Sequence, residues 1–527
     1  MLRLYAFFHL NLMFSSIEEE QRPNVIQRCY WPILDLAERL GIPIGIEATG
    51  FTFETIEKLD PAWIAKCQSL VASGLIEIIG SGYTQLIGPL MPAELVRRNL
   101  MLGQIVYQRL FDCAPALALI NEQAYSSGIL SHYQNAGYRA VLMDWDMCAH
   151  AHPEWQTEWR YHPQLAVSPS ARLPVLWTST VIFQKLQRLA HGEMELDDYL
   201  ALIRRHAGGD MRTLAIYNND AECFDFRPGR FATEATTDGA SEWKRIEAAF
   251  KSLAREPDTL WVRPSGALES SRNTYTLQPI ELESAAFPIP VKKQLKYNVS
   301  RWAVTGRASF AINSRCRAVA TALQAENVED IEAWRALSLL SASDFRTHIT
   351  HKRFESALEK LCELESRMPV AANSAPSART SIPNAAKIQV CARHIDLTGP
   401  GMRVRLNPRR GLSIDSIEIP GRNGFRRFAG TVPHGTYDDL VHAFDWYSGT
   451  LICEFVAQPK VTDLAAVAPD IAQTTDKISL QAEIGTPLGP IIKRLEFDGQ
   501  SLTTYYTLDW PVQERGVLRV ANLTLLP

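Results

Sequence analysis

Short apolar runs set the rhythm of the first part of the chain. Residues 2–8, 43–47, 75–79, 116–121, 140–144, 174–177, 213–218 and 259–262 are each brief and rich in aliphatic or aromatic side chains, the pattern of strands buried on both faces. Longer amphipathic stretches separate them. Asp60-Pro61 ahead of Trp63, Ile64, Cys67 and Leu70, with Gly74 behind, predicts a helix with an N-cap, a first-turn proline and a C-terminal glycine. Ser126, then Ile129, Leu130 and Tyr133, closing at Gly137, predicts another. Such alternation implies an α/β domain on a parallel sheet, open or closed into a barrel.

The period changes further on. Residues 297–365 are helical in pattern, with apolar sets such as Ile331, Trp334, Leu337 and Leu340, then Phe354, Leu358 and Leu361. Residues 368–386 hold Pro, Ser and Ala with little periodicity and are expected to be a linker. After it, residues 387–395, 402–406, 451–456, 478–484 and 517–523 alternate between apolar and polar, which predicts a C-terminal all-β sandwich.

Composition narrows the function classes. The 527 residues suffice for two to four domains, and 46% hydrophobic with 21% charged residues is ordinary globular content. A balance of 54 Lys and Arg against 58 Asp and Glu, formally −4, argues against a nucleic-acid or anionic-membrane partner. The nine cysteines form no Cys-x-x-Cys pair and their number is odd, so reduced thiols in the cytoplasm are expected. The apolar opening is too short for a secretion signal, and no run approaches the roughly 18 apolar residues of a membrane span.

Polar residues just past the apolar runs carry the candidate chemistry. His9 and Asn11 come after the first run, Glu47 ends the second, Ser81 and Tyr83 come after the third, Glu122 after the fourth, Asp144 ends the fifth, and Asp220 and Glu222 come after the seventh. In α/β barrels the carboxyl ends of the strands build the active site. Glycoside cleavage needs one carboxylate as nucleophile or base and one carboxylic acid to protonate the leaving oxygen. Glu122, in Ala118-Leu119-Ile120-Asn121-Glu122-Gln123-Ala124-Tyr125, and Asp220, in Ala215-Ile216-Tyr217-Asn218-Asn219-Asp220-Ala221-Glu222, are the candidates. Each has an ordinary alternative use, Glu122 as a helix cap and Asp220 as a loop ion-pair acid. Trp177, Trp145 and Tyr83 offer planes for sugar stacking, although core packing claims many of the chain's tryptophans. Glu77, inside its strand, reads as a buried structural acid.

These segments together resemble glycoside hydrolase family 57. Its first motif, His-x-His-Gln-Pro, is matched in part by His9-Leu10-Asn11-Leu12, and its second by Gly74-Leu75-Ile76-Glu77-Ile78-Ile79-Gly80. Its third holds a nucleophilic Glu at a strand end, matched by Glu122. Its fourth is matched by Asn219-Asp220-Ala221-Glu222-Cys223-Phe224, and a late motif by Ser343-Asp344. The resemblance covers residues 1 to about 365 in order and spacing. It implies a distorted (β/α)7 barrel over residues 1–280, a helical subdomain over 281–367, the linker 368–386 and the C-terminal β-sandwich over 387–527. It also implies a retaining hydrolase or transglycosylase for α-linked oligo- or polysaccharides, with Glu122 as nucleophile and Asp220 as acid/base. His9, Asn11, Tyr83, Tyr125, Trp177, Glu222 and Asp344 are the implied sugar contacts, and neither cofactor nor metal is called for. The second His and the Gln-Pro of the first motif are missing, Asn219 stands where the family has Asp, and Tyr125 stands where it has Trp. These departures spare both carboxylates and change the wall that faces the sugar.

Two other classes are open. A metal-dependent polysaccharide deacetylase would need an Asp pair on the first strand and a His-x-x-x-His metal pair; His9 and Asn11 stand on that strand, His150-Ala151-His152 lacks a suitable acidic partner set, and Lys352 and Arg353 beside His348 and His351 argue against a cation site there. A catalytically silent sugar-binding protein would keep the barrel without the chemistry.

Overall fold

The computed structural model describes the chain except residues 15–16, 169, 227–240, 269–276, 285–288, 290–298, 300, 326–329, 348, 368–385, 422–423, 433–446, 456–457, 512–515 and 526–527. The expected linker therefore lies outside the described residues apart from Ala386. The chain divides into two compact units, residues 1–372 and 373–527.

The first unit is an α/β, barrel-like wall. Its strands are β1 (Leu2–Leu10), β2 (Ile44–Ala48), β3 (Ile76–Ile79), β4 (Leu117–Leu119), β5 (Ala140–Asp144), β6 (Gln164–Val167), β7 (Arg172–Thr178), β8 (Arg212–Asp220), β9 (Thr259–Trp261) and β10 (Pro279–Ile280). Parallel ladders run β3-β2-β1-β8 and β4-β5-β7, and a parallel bridge between Gly80 and Ala118 continues β3 into β4. Among the described residues no ladder joins β7 to β8. The seven strands of this order coincide with expected apolar runs. β6, antiparallel to β7, and β10, parallel to β6, were not expected.

Alternation along the strands sorts side chains into two layers. Tyr5, Phe7, Ile79, Leu117, Ala140, Leu142, Leu176 and Ala215 fill a small interior core. Leu4, Phe8, Ile46, Ile78, Leu214 and Ile216 face outward into a larger core that also takes side chains of the helices. Gly45 is required by this packing, since a Cβ there would sit 2.6 Å from that of Phe7 and 2.9 Å from Pro264 Cγ. The helix Pro61–Ala72 starts as its sequence dictates, with Asp60 accepting from the Trp63 amide at 3.2 Å. The helices Ser309–Ala325, Ile331–Leu340 and His351–Arg367 contribute Leu323, Trp334 and Leu361 to the same outward core, so they complete the barrel unit.

The second unit is antiparallel. β11 (Lys387–Val390), β12 (Ile395–Thr398), β13 (Arg403–Asn407), β14 (Ser413–Gly421) and β15 (Gly424–Ala429) form one meander. β16 (Thr450–Phe455), β17 (Val461–Thr462), β18 (Asp470–Gln473), β19 (Ile478–Thr486), β20 (Gly489–Phe497), β21 (Leu502–Leu508) and β22 (Gly516–Asn522) form sheets ordered β17-β16-β22 and β18-β19-β20-β21. Ile395, Leu397 and Leu406 share a core with Leu480, Leu495 and Phe497, sheet face against sheet face. The unit also holds an ion pair, Lys493–Asp463, at 2.9 Å with both side chains fully buried. Among the described residues no helix is long and apolar enough to cross a membrane.

Candidate active site

The parallel register of the first sheet builds the centre of the site. His9 on β1 stands opposite Glu47 on β2 and opposite Asp220 on β8. Residues level with one another on neighbouring parallel strands project to the same face. That face is the barrel interior, because His9 comes after Tyr5 and Phe7 by steps of two. The result is a row of acid, imidazole and acid at the carboxyl ends of three adjacent strands.

His9 bonds Glu47 through Nδ1. Its Nε2 lies 2.7 Å from the Gln85 amide. Burial disfavours the imidazolium, yet the charge and hydrogen bond of Glu47, with the charges of Asp220 and Glu222, outweigh burial and raise His9 to about 10. His9 is therefore a cation at neutral pH. It donates from both nitrogens, which requires the Gln85 amide to turn its oxygen to the ring.

β8 ends in a turn that delivers two acids. The Asp220 carbonyl accepts from Tyr217 Oη at 2.7 Å and from Cys223 Sγ at 3.0 Å, which fixes the turn. Glu222, 5% exposed, accepts from the Asn11 amide at 2.8 Å and from the Tyr30 hydroxyl. Burial and then the Asp220 charge raise Glu222 to about 7, against the Asn11 and Tyr30 hydrogen bonds and the His9 charge.

Glu122 reaches the site through a strained turn. Glu122 and Gln123 take φ of 53° and 59°, left-handed values that cost side-chain-bearing residues about 1–3 kcal/mol each. Neighbours on both sides hold the turn. Asn121 exchanges hydrogen bonds with Ser81, accepting at 2.7 Å and donating at 3.1 Å, and Gln123 accepts from the Asp144 amide at 2.7 Å. Ser81 itself is anchored by the Tyr107 hydroxyl of helix Ala93–Phe111 at 3.0 Å.

The helical segment supplies the last acid. Ser343 N donates to the Gln85 carbonyl at 2.8 Å and Thr84 Oγ1 donates to the Ser338 carbonyl at 2.8 Å. These bonds seat Asp344 against Asn11, whose Nδ2 donates to Asp344 Oδ1 at 3.0 Å. Burial raises the Asp344 carboxyl, opposed by Asn11, Arg353 and His9, and Glu122 adds to the rise through its charge. Two buried carboxylate oxygens here, Glu47 Oε1 and Asp344 Oδ2, have no hydrogen-bond partner among the described residues.

The structure thus gathers His9, Asn11, Asp220, Glu222 and Asp344 by direct contact or charge, and Glu122 by its charge on Asp344. It does not gather three expected sugar contacts. Tyr83 turns its hydroxyl to Glu54 at 3.1 Å with Arg335 over its ring. Tyr125 is fully buried in an apolar cluster, and Trp177, 5% exposed, packs there edge to face on Trp145. Glu77 accepts from the Ser265 amide at 3.0 Å and takes no part in the cluster. His152 stacks on Trp155, His351 pairs with Glu355, and His348 lies outside the described residues. Glu47, Gln85 and Tyr30 were not singled out as site residues. Glu47 carried the strand-end signal, whereas Gln85 and Tyr30 belong to a polar loop and a helical stretch with no pattern of their own.

Residues 6–177 match the family model of glycosyl hydrolase family 57. An α-amylase of Pyrococcus furiosus is 22% identical over 208 residues, 39% of this chain and 30% of that protein, so the match spans under a third of the relative's length. The 4-α-glucanotransferase of Thermococcus litoralis superposes with a TM-score of 0.53 at 12% identity, covering 96% of this chain and 84% of that one. An α-mannosidase of Enterococcus faecalis gives 0.53 at 11% identity, covering 98% and 74%. At such identities the two structures show a shared fold.

Proposed function

We propose, with the family 57 match over residues 6–177 as premise, that this chain is a retaining glycoside hydrolase or transglycosylase for α-linked oligo- or polysaccharides. The observation that carries the reading is the convergence of Glu122, from the end of β4, and Asp220, from the end of β8, on one charged cluster around His9 and Asp344. In the proposed mechanism a Glu122 oxygen bonds the anomeric carbon as the glycosidic C–O bond breaks. Asp220 gives its proton to the leaving oxygen. Asp220 then takes a proton from water or a sugar hydroxyl, whose oxygen displaces Glu122. Retention requires the two carboxyl groups at about 5–5.5 Å. The His9 cation stabilises the Asp220 carboxylate left after proton transfer. Asn11, Glu222 and Asp344 hold sugar hydroxyls, and the oxygens of Glu47 and Asp344 that lack a partner among the described residues are acceptors for them. The proposal includes a (β/α)7 count for the barrel, the division at residues 280, 367 and 386, a cytoplasmic setting, and no cofactor.

One observation favours a second assignment. Glu222 is buried and held near about 7, the range of a general acid at neutral pH, so it competes with Asp220 for that role.

The test is turnover of nitrophenyl α-glycosides and α-linked oligosaccharides by the native chain and Glu122→Ala, with and without azide. The expected result is an inactive variant that regains turnover with azide and releases a glycosyl azide. An unchanged rate for Glu122→Ala removes the nucleophile. A native chain that binds these sugars yet turns over none of them is a silent binding protein.

A further inference from the structure

Between β7 and β8, where no ladder joins the strands among the described residues, lies a cavity of about 140 Å3. None of its lining residues belongs to the His9 cluster. Trp145 and Trp177 form one wall, their rings 5.2 Å apart at 81°, and Ile182 contributes an apolar patch. Asp146, Arg160 and His206 make the polar part.

Two residues of this lining each carry a donor that is left over. The Trp177 indole N–H is buried without a partner among the described residues, and so is Arg160 Nε–H. A buried donor without an acceptor costs about 1–3 kcal/mol, and both donors are sealed behind the wall, so a turn of either side chain toward a ligand's oxygen acceptor recovers what the fold leaves unsatisfied. The other polar groups are set. Asp146 Oδ2 accepts from Ser179 Oγ at 2.8 Å and from the Val181 amide at 3.1 Å. His206 bonds Tyr161 at 2.8 Å and is neutral, because burial and the charges of Arg160 and Arg212 lower it to about 4. The Asp146 carboxylate offsets Arg160, so the pocket offers an anion little net attraction. A cavity of about 150 Å3 takes one six-membered ring. Indole surfaces with fixed donors and a carboxylate acceptor suit a ring whose edge is hydroxylated and whose faces are C–H.

We propose that this cavity is a second carbohydrate-binding pocket, which holds a single pyranose ring away from the catalytic carboxylates. The choice of a sugar rests on the function proposed above. The pocket gives Trp177 a sugar-binding role outside the catalytic centre, and it lets the protein hold a glycan chain at one ring while cleaving at another.

The test uses calorimetric titration of the full native chain, Val181→Trp and Arg160→Gln with glucose, galactose and mannose, alongside turnover of a short α-linked oligosaccharide. Val181 lines the cavity and is 44% exposed, so a tryptophan there plugs the opening without touching the core. The expected result is saturable binding of at least one monosaccharide, weakened tenfold or more in both variants, with kcat/KM on the short substrate unchanged and melting temperatures like the native one. Binding that is the same in all three chains overturns the pocket, as does the absence of binding in an active native chain. Titration by inorganic phosphate and by none of the sugars overturns it too. A native chain that turns over no α-glycoside overturns the glycosidase reading alone and leaves the titration standing, so the two failures are distinguishable.

Discussion

Two buried clusters of charge in this protein are built to opposite ends. In the C-terminal unit Lys493 spends all three ammonium protons, on the Gly411 carbonyl at 2.7 Å, the Gly449 carbonyl at 2.6 Å and Asp463 Oδ2 at 2.9 Å. Asp463 in turn accepts from the Leu451 amide at 3.0 Å and the Tyr506 hydroxyl at 3.3 Å. One cation meets one anion and every proton is placed. At the barrel end, the His9 cation faces Glu47, Asp220 and Glu222, with Asp344 beside them and oxygens of Glu47 and Asp344 unpartnered among the described residues. Buried charge with complete partners ties strands together. Buried charge with surplus acid and open acceptors holds free energy that a ligand can release.

The sharpest way to break this contrast is Lys493→Met. It strands a buried carboxylate and is expected to cost the C-terminal unit about 3–5 kcal/mol in chemical unfolding, most of it regained by adding Asp463→Leu. A loss that the second substitution leaves untouched would mean the pair is not a unit.

Next in size is a pH effect on the barrel unit. The folded pKa of His9, about 10, lies above its unfolded value of about 6.5. Its contribution is fully present below about pH 6.5 and is lost as pH rises through about 10, and the raised Glu222 adds a loss through about 7. Unfolding free energy is expected to fall by a few kcal/mol between neutral and alkaline pH, and His9→Gln to flatten that slope. A native slope of zero would remove the imidazolium.

Glu222→Gln sharpens the assignment within the cluster. With Asp220 as the acid, the variant keeps turnover within about tenfold and shifts the limb of the pH–rate profile near neutrality. A loss beyond about a hundredfold transfers the role to Glu222. The smallest effect separates the two clusters by sign. Asp344→Asn removes a surplus charge and is expected to leave stability unchanged or about 1 kcal/mol higher while raising KM, as the proposed sugar-holding role of Asp344 requires. The equivalent change at Asp463 lowers stability.

The sequence disclosed the scaffold where one force dominated. Residues 140–144 read as a strand and are one, because burial on both faces leaves no polar position before the closing Asp144 to blur the run. Asp60 capped its helix as its residue type demands. β6 and β10 escaped because Gln164–Val167 and Pro279–Ile280 are short and mixed in character, held by pairing rather than by an apolar run. At the site, strand-end position located His9, Asn11, Asp220 and Glu222, since the parallel sheet turns chain order into spatial order. Asp344 was legible as a site candidate only through family likeness, and its bond to Asn11 not at all, because the two lie far apart in the chain. Tyr83, Tyr125 and Trp177 show the limit of that reasoning. An aromatic near a strand end has apolar neighbours to pack on as readily as a sugar, and only coordinates reveal which way the ring turns.

The loop that carries Thr84 and Gln85 has a consequence for how such a protein can change over generations. It bonds His9 with one side chain and receives Ser343 N on one carbonyl, so this loop ties the barrel end to the helices near residue 340. A genetic crossover that exchanged the helical segment for another would take Asp344 from Asn11 and Ser343 from the Gln85 carbonyl at once. Drift on either side of this loop must be matched on the other.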